Sequence, residues 1–193
     1  MAKLYYSGNR TLKCTYNAGY DPKAIKFFPT NDKFAYGYGC SDLRIISDSC
    51  NLIRTINTGH IIIDGIDFSY DGTLMLTCGE DLRFKIWNIS GINLATTAPP
   101  MIENVSTGGI VWTCRFSSTN LVLAGNSNGN IKIYGLTYTN LLRTYNPTAS
   151  GQVNSAEFFY CENSTKLVMG SENGISYWYN GTSTDSTILL DDI

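Results

Sequence analysis

One pattern in the middle of the chain constrains its fold more than any other feature. It starts with a Gly-His pair, passes through a strand and a glycine turn, and closes with a polar turn and a Trp-Asn pair: Gly59-His60, Phe68, Asp71-Gly72, Thr77, Gly79, Asp81 and Trp87-Asn88. The alternation of apolar and polar residues predicts strands at 65–69, 73–78 and 82–88, with a weaker fourth strand at 92–96. A four-stranded sheet of this size cannot bury its own faces, so it must stack on copies of itself.

Three further copies of the pattern recur along the chain. Their predicted strands are 24–28, 33–38, 43–47 and 52–56; then 111–116, 121–124, 130–134 and 141–145; then 153–159, 166–169, 175–179 and 187–190. Phe28 aligns with Phe68. The residues that align with Trp87 are Ser47, Tyr134 and Tyr179, which spaces the copies by 40, 47 and 45 residues. This period is close to the ~40–45 residues typical of four-stranded propeller blades.

The start of the chain carries half a copy. Segments 4–6 and 12–16 resemble the third and fourth strands of a blade whose first half is absent. We therefore expect one all-β propeller domain over 1–193 with about four to five blades. The expected units are a half blade at 1–17 and blades 1 to 4 at 18–57, 58–97, 109–146 and 150–193. A β-sandwich also has short alternating strands, but it gives no reason for these residues to recur in register.

The motif residues of blade 2 resemble those of the WD-repeat (WD40) family. They match its Gly-His pair, its second-strand Ser/Thr, its turn Asp and its Trp-Asp pair at Gly59-His60, Thr77, Asp81 and Trp87-Asn88. The resemblance implies a structural chain of hydrogen bonds in which Asp81 accepts from His60, His60 meets Thr77 and Thr77 meets Trp87. Such a chain gives a buried indole and a buried imidazole the partners that both need.

The resemblance covers almost the whole chain, but only blade 2 keeps all four polar groups. The residues aligned with Thr77, Asp81 and Trp87 are Gly37, Ser41 and Ser47 in blade 1, Ala124, Asn128 and Tyr134 in blade 3, and Met169, Asn173 and Tyr179 in blade 4. These blades are expected to depend on apolar stacking. Phe27-Phe28-Pro29 adds a weaker likeness to the β subunits of heterotrimeric G proteins.

The number of copies leaves the closure of the ring open. Seven blades are usual for the family and would need roughly 300 residues at this period. An open arc exposes two sheet edges and two apolar blade faces, which favours aggregation. We therefore expect the arc to be completed, either by a second polypeptide or by sequence missing from this chain. A compact ring of four or five blades is the alternative.

Composition narrows the environment. The formal net charge of −2 disfavours direct binding to a nucleic-acid backbone. The longest aliphatic run, 61–63, predicts no membrane insertion, and the first residues lack the apolar core of a signal peptide. None of the six cysteines forms a C-x-x-C pair, and Cys14, Cys78 and Cys114 fall in predicted strands, where a free thiol acts as a small apolar group. We therefore expect a reducing, cytoplasmic location.

The sequence predicts no catalytic, cofactor or metal site. His60 is the only histidine and has a structural role, which argues against a Ser-His-Asp triad and a His-based zinc site. Segment 126–130 resembles a calcium loop but has no carboxylate, and no phosphate-binding glycine motif occurs. The family resemblance implies a noncatalytic scaffold for protein–protein interactions within a complex. The alternative is a ligand-binding or enzymatic propeller with Asp64 and Asp67 in its central channel.

The candidate partner-binding residues lie at one rim of the expected propeller. Trp112 precedes Phe116 by four positions, as Asp64 precedes Phe68, and this places both at the start of a first strand facing the narrow mouth. Tryptophan is common at interface hot spots, although Trp112 could instead pack against the connection 97–109. The full set of candidates is Trp112, Tyr20, Lys23, Asp64, Glu80 and Glu172.

Overall fold

A computed structural model describes residues 2–5, 12–17, 22–30, 32–135, 137–146, 151–161, 164–172, 176–180 and 188–190. For 2–5, 159–161, 164–165, 176–180 and 188–190 the description is of the backbone. Within these ranges the chain forms eighteen β-strands and no helix. The predicted all-β fold class is confirmed.

The strands form one two-stranded and four four-stranded antiparallel sheets. The half blade consists of β1 (Ala2–Tyr5) and β2 (Leu12–Tyr16). Blade 1 consists of β3 (Pro22–Phe27), β4 (Lys33–Tyr38), β5 (Asp42–Ser47) and β6 (Leu52–Asn57). Blade 2 consists of β7 (Ile63–Phe68), β8 (Leu74–Gly79), β9 (Arg83–Asn88) and β10 (Met101–Ser106). Blade 3 consists of β11 (Val111–Phe116), β12 (Val122–Asn126), β13 (Ile131–Tyr134) and β14 (Leu141–Tyr145). Blade 4 consists of β15 (Val153–Cys161), β16 (Ser164–Ser171), β17 (Ser176–Asn180) and β18 (Ile188–Leu190).

The sheets stack face to face in chain order, as propeller blades do. The first strand of each blade is innermost and lies against the preceding blade, so that β7 packs on β3 and β4, β11 on β7 and β8, and β15 on β11 and β12. Four apolar clusters fill the spaces between successive sheets. Full burial of each aliphatic or aromatic side chain in them contributes ~1.5–3 kcal/mol.

Glycines in the second strands allow this close stacking. A Cβ added at Gly37 would lie 2.8 Å from Ile63 Cγ2 of the next blade, and one added at Gly125 would lie 2.6 Å from Val153 Cγ1. Cys78 occupies the same position in blade 2. The small residues therefore set the distance at which the next inner strand can pack.

The structure shifts the predicted register of blade 1 by one residue. The amide of Phe28 donates to the carbonyl of Lys33, at the start of the second strand of blade 1. In blades 2 and 3 the amides of Ser69 and Ser117 make the equivalent hydrogen bond, each to a carbonyl where the second strand begins. Phe27, rather than Phe28, is therefore the equivalent of Phe68. By the same strand pairing, Ile46 and not Ser47 occupies the place of Trp87.

The predicted fourth strand of blade 2 is also wrong. Residues 92–96 form a turn in which Asn93 accepts backbone hydrogen bonds, and Leu94 is buried in the cluster between blades 1 and 2. Arg54 of blade 1 donates to the carbonyls of Leu94 and Ala95. The true fourth strand is β10, within the segment expected to be a connection, so blade 2 extends past residue 97.

Cysteine pairing corrects another expectation. The structure joins Cys14 to Cys50 and Cys78 to Cys114 by disulfides, whereas free thiols were expected at 14, 78 and 114. The second bond links blade 2 to blade 3, a contact that sequence spacing alone does not reveal. Because disulfides persist mainly in oxidising compartments, the cytoplasmic location loses its main argument and stays a prediction.

Candidate functional site

Blade 2 contains a continuous chain of side-chain hydrogen bonds. The indole Nε1–H of Trp87 donates to Thr77 Oγ1 over 3.0 Å, and this hydroxyl lies 2.9 Å from His60 Nε2. His60 Nδ1 lies 2.6 Å from Asp81 Oδ1. Strands β8 and β9 carry Thr77 and Trp87, and the turn between them carries Asp81. The four side chains thereby connect the entry of the blade to its third strand.

The donors and acceptors of the chain fit a neutral imidazole. Thr77 accepts from Trp87, so its own hydroxyl donates to His60 Nε2, and Nδ1–H donates to Asp81. Burial lowers the pKa of His60 despite the carboxylate beside it. Burial alone would raise the pKa of Asp81, but hydrogen bonds from Lys85 and His60 outweigh it and the net shift is downward. This arrangement is a structural clamp, because its donors and acceptors are all committed.

Lys85 adds an ion pair and a backbone hydrogen bond to this clamp. Its side chain is buried, and Nζ lies 2.8 Å from Asp81 Oδ2 and donates over 2.9 Å to the carbonyl of Thr58. The ion pair therefore fixes the turn after β8 to the segment that enters the blade.

Within the described residues, the other blades do not repeat this chain. The corrected register puts Tyr36, Cys40 and Ile46 of blade 1 at the positions of Thr77, Asp81 and Trp87, in place of the predicted Gly37, Ser41 and Ser47. Blade 3 has the predicted Ala124, Asn128 and Tyr134. In blade 4 Met169 occupies the expected place, Asn173 lies outside the described residues, and Tyr179 is described by its backbone.

The candidate partner-binding residues belong to a recurring bulge. In all four inner strands one residue near the start is skipped by the pairing with the second strand; these residues are Lys23, Asp64, Trp112 and Asn154. A bulge redirects its side chain, and bulges are common at binding rims. We name these four positions the bulge rim. Sequence reasoning missed Asn154, although its distance of four residues from Phe158 is the signal that identified Asp64 and Trp112.

Asp64 is the most perturbed group of the bulge rim. Burial raises its pKa to about 6, Glu80 adds to the rise, and Lys23 opposes it, so these charges lie close together. Asp64 Oδ2 and Trp112 Nε1 are buried atoms without a hydrogen-bond partner in the described part of the chain. Glu172 is exposed on blade 4, and Tyr20 lies outside the described residues. The structure therefore groups Lys23, Asp64 and Glu80, with Trp112 on the adjacent inner strand.

Ion pairs between adjacent blades line the inner strands further along. Lys26 Nζ lies 2.8 Å from Asp67 Oδ1, and Asp67 Oδ2 accepts from the amide of Phe116 over 2.8 Å. Arg115 Nε donates to Glu157 Oε2 over 2.9 Å. Both oxygens of Asp67 are thus engaged in holding blades together. Of the two carboxylates predicted for the central channel, Asp64 and Asp67, this leaves Asp64 as the candidate.

Two kinds of feature are absent from the described residues. These residues contain no group of three or more His, Cys, Asp or Glu residues placed to hold a metal ion. None of their segments is a helix long and apolar enough to cross a membrane.

Comparisons with known proteins agree with the architecture. The family model described as "WD domain, G-beta repeat" matches residues 50–88, which contain β6 to β9 and the complete hydrogen-bonded chain. The fold matches 1379 solved chains, so it does not by itself select a function. A solved structure of U3-55K superposes with a TM-score of 0.75 at 10% identity, covering 90% of this chain and 52% of that one. This chain therefore spans about half the length of that structure. No curated protein matches the present chain.

Proposed function

We propose that this chain, a WD-repeat propeller in fold, is a noncatalytic scaffold that mediates protein–protein interactions as a subunit of a larger complex. One observation carries the proposal: the inner strand of blade 1 is uncovered. Ile25 is 53% exposed, whereas Ile66, its equivalent in blade 2, is 3% exposed. Phe27 is 41% exposed, whereas its equivalent Phe68 is 6% exposed. A stack that leaves such side chains bare is built to be covered by another surface.

The opposite end of the stack supports the same conclusion. Gly170 of blade 4 is the equivalent of Gly37 and Gly125, which receive the inner strand of the following blade. A Cβ added at Gly170 would meet nothing within 4 Å in the described part of the chain. Blade 4 thus has the small residue that admits another inner strand, which is consistent with a further blade packing there.

The bulge rim offers a second surface for a partner. It combines the cation of Lys23 and the carboxylate of Asp64 with the indole of Trp112, and the carboxylate of Glu80 lies beside it, a mixture suited to protein recognition. The low net charge and the ion pairs along the inner strands favour protein over nucleic acid as the ligand.

The assembly state of the full purified chain tests this proposal. We expect light scattering to show self-association that rises with concentration, and we expect it to fall when Ile25→Asp or Phe27→Asp is introduced. Affinity capture from the native source should recover a complex of fixed stoichiometry. A monodisperse monomer that binds no hydrophobic dye and recovers no complex would contradict the proposal.

The enzymatic or ligand-binding alternative depends on Asp64, whose carboxyl is half in its neutral form near pH 6. Acid–base chemistry commonly uses such a group, but it also needs a second catalytic group in reach of the substrate. Asp67 no longer supplies one, because Lys26 and Phe116 hold both of its oxygens. NMR can follow the carboxyl signal of Asp64 while candidate small molecules are added. A change in the chemical shift of this signal on addition of a ligand would revive this alternative.

A further inference from the structure

We infer that the bulge rim binds an arginine side chain presented by an extended segment of a partner protein. Asp64, with Glu80 beside it, receives the guanidinium, and the indole of Trp112 donates to a carbonyl of the same segment. This binding mode rests on the proposed function and names the chemistry of the partner. Blades 2 and 3, which carry these residues, each have another blade on both sides, so the contact does not depend on either end of the stack.

Asp64 and Trp112 occupy the same bulge position on neighbouring inner strands. In β7 and in β11 the pairing with the second strand skips this residue. The two strands touch at this level, since a Cβ added at Gly65 would lie 3.3 Å from the amide nitrogen of Cys114. The two bulges therefore lie next to each other where blades 2 and 3 meet.

Glu80 brings a second carboxylate to the same place. Its amide donates over 3.2 Å to the carbonyl of Ile62, which ties the turn after β8 to the start of the inner strand. Burial raises the pKa of Asp64 to about 6, and the negative charge of Glu80 adds to the rise. Lys23 opposes it, yet Asp64 Oδ2 has no hydrogen-bond partner among the described residues. A cation bound beside both carboxylates would relieve their repulsion.

Two buried atoms specify what the ligand must carry. Asp64 Oδ2 can only accept hydrogen bonds and Trp112 Nε1–H can only donate one, and neither has a partner in the described part of the chain. A metal ion would serve the carboxylate and not the indole, whereas an anion would be repelled by the carboxylates. A peptide segment with a cationic side chain has N–H donors and carbonyl acceptors together, so it satisfies both atoms.

Arginine suits this pair of carboxylates better than lysine. Its planar guanidinium holds five N–H donors in a fixed fork, so it can bond to two carboxylates at once, and it also stacks on aromatic rings such as that of Trp112. A guanidinium is more weakly hydrated than an ammonium group, which lowers the cost of entering a half-buried place.

The charges around the rim favour a cationic segment as well. Glu172 takes on blade 4 the turn position that Glu80 takes on blade 2, because its amide donates in the same way to the carbonyl of Gln152. The charged residues at the bulge and turn positions are then three carboxylates and one cation: Asp64, Glu80, Glu172 and Lys23. Such an excess of one sign attracts the opposite charge during encounter.

A short blocked peptide with one arginine between alanines tests the inference. It is titrated into the full isotope-labelled chain while NMR follows the indole and backbone N–H signals, and Trp112→Phe identifies the Trp112 indole by its loss. We expect this indole and the amides of Asp64, Gly65 and Glu80 to shift along one saturable binding curve. The same peptide with citrulline keeps the shape and loses the charge, so it should bind about tenfold more weakly.

Two variants with the same change of charge separate the rim from general attraction. Asp64→Asn keeps the size of the side chain and should weaken binding of the arginine peptide by about tenfold. Glu103→Gln removes one carboxylate from β10, the outer strand of the same blade, and should leave binding unchanged. Equal affinities in the two variants, equal binding of arginine and citrulline, or no shift of the Trp112 indole would each overturn the inference.

The binding site and the scaffold role can fail separately. If the arginine peptide does not bind while a native complex of fixed stoichiometry is recovered, the assignment of the rim is wrong and the proposed function stands. If the peptide binds as expected and no complex is recovered, the assignment stands and the proposed function fails. A lysine peptide that bound as tightly as the arginine peptide would overturn the choice of arginine.

Discussion

Blades 2 and 3 have the same strand plan but different side chains at four equivalent positions. Blade 2 has the polar set His60, Thr77, Asp81 and Trp87, and blade 3 has Gly109, Ala124, Asn128 and Tyr134. In blade 3 Asn128 Nδ2 donates to the carbonyl of Gly108 over 3.1 Å, where blade 2 uses a histidine and a carboxylate. The ring of Tyr134 packs edge-on against Phe84 of blade 2, with centroids 4.9 Å apart.

One element is common to both blades. Lys132 Nζ of blade 3 donates to the carbonyl of Thr107 over 2.6 Å, as Lys85 Nζ of blade 2 donates to Thr58. Each lysine fixes the segment that enters its blade to the third strand. The comparison shows that a blade of this plan forms without the polar chain of blade 2. The polar chain of blade 2 adds local rigidity, and it creates a dependence on buried charges that blade 3 does not have.

Removing the carboxylate of Asp81 from the polar chain of blade 2 should have the largest effect on stability. Asp81→Ala leaves Lys85 and the His60 Nδ1–H buried without their partner. We expect the free energy of unfolding to fall by about 3 kcal/mol, since breaking a buried ion pair is costly. Asn128→Ala is the matched change in blade 3 and should cost about 1 kcal/mol or less. Urea denaturation of both variants measures the difference, and equal losses would contradict the contrast between the blades.

Changing the aromatic anchors should have an intermediate effect. Trp87→Phe removes the N–H that binds Thr77 and leaves space in the cluster between blades 1 and 2. The expected loss is about 2 kcal/mol. Tyr134→Phe keeps the ring against Phe84 and should change stability by less than about 0.5 kcal/mol. Thermal unfolding distinguishes these results. A large loss in Tyr134→Phe would reveal a hydrogen-bond role for that hydroxyl.

The polar chain could be predicted because the motif of blade 2 resembles that of the WD-repeat family, and the resemblance implies these hydrogen bonds. The chemistry agrees, since His60, Thr77, Asp81 and Trp87 are residue types that need hydrogen-bond partners when buried. In blade 1 no such group marks the register. The doublet Phe27-Phe28 offered two equally apolar anchors, and only the backbone hydrogen bonds distinguish them.

Other features depended on contacts between distant parts of the chain. The segment 92–96 has apolar residues at alternate positions and therefore resembled a strand. In the structure Leu94 packs into the neighbouring core and Arg54 binds the local carbonyls. The disulfide between Cys78 and Cys114 likewise depends on how closely two blades stack. No local pattern encodes either contact, so the sequence could not predict them.

A smaller effect should follow from giving blade 3 the carboxylate of blade 2. Asn128→Asp would place an acidic group where Asp81 stands and offer Lys132 an ion pair. It would also lose the amide bond to the Gly108 carbonyl. We expect a net gain of about 0.5 kcal/mol, the scale of a partly exposed pair. The control is the same change in a Lys132→Met background. If the gain survives there, it does not come from the lysine.

Mild acid should produce the smallest effect, because two groups titrate in opposite directions. Burial lowers the pKa of His60 below its unfolded value, so the unfolded chain binds more protons, and stability falls as the pH drops through about 6.5. The pKa of Asp64 is raised to about 6, so the folded chain binds more protons there than the unfolded chain does. This contribution to stability therefore increases as the pH falls from about 6 to 4.

Asp64→Asn isolates the contribution of His60. In this variant the free energy of unfolding, measured in urea from pH 7.5 to 5.5, should fall more steeply than in the unmodified chain. Adding His60→Gln should flatten the profile, because that side chain does not titrate. Blade 3 has Gly109, which does not ionise, at the position of His60. A slope that persisted unchanged in the double variant would therefore have to come from groups outside the two sets of four residues compared above. That result would show that the buried imidazole does not make blade 2 sensitive to acid.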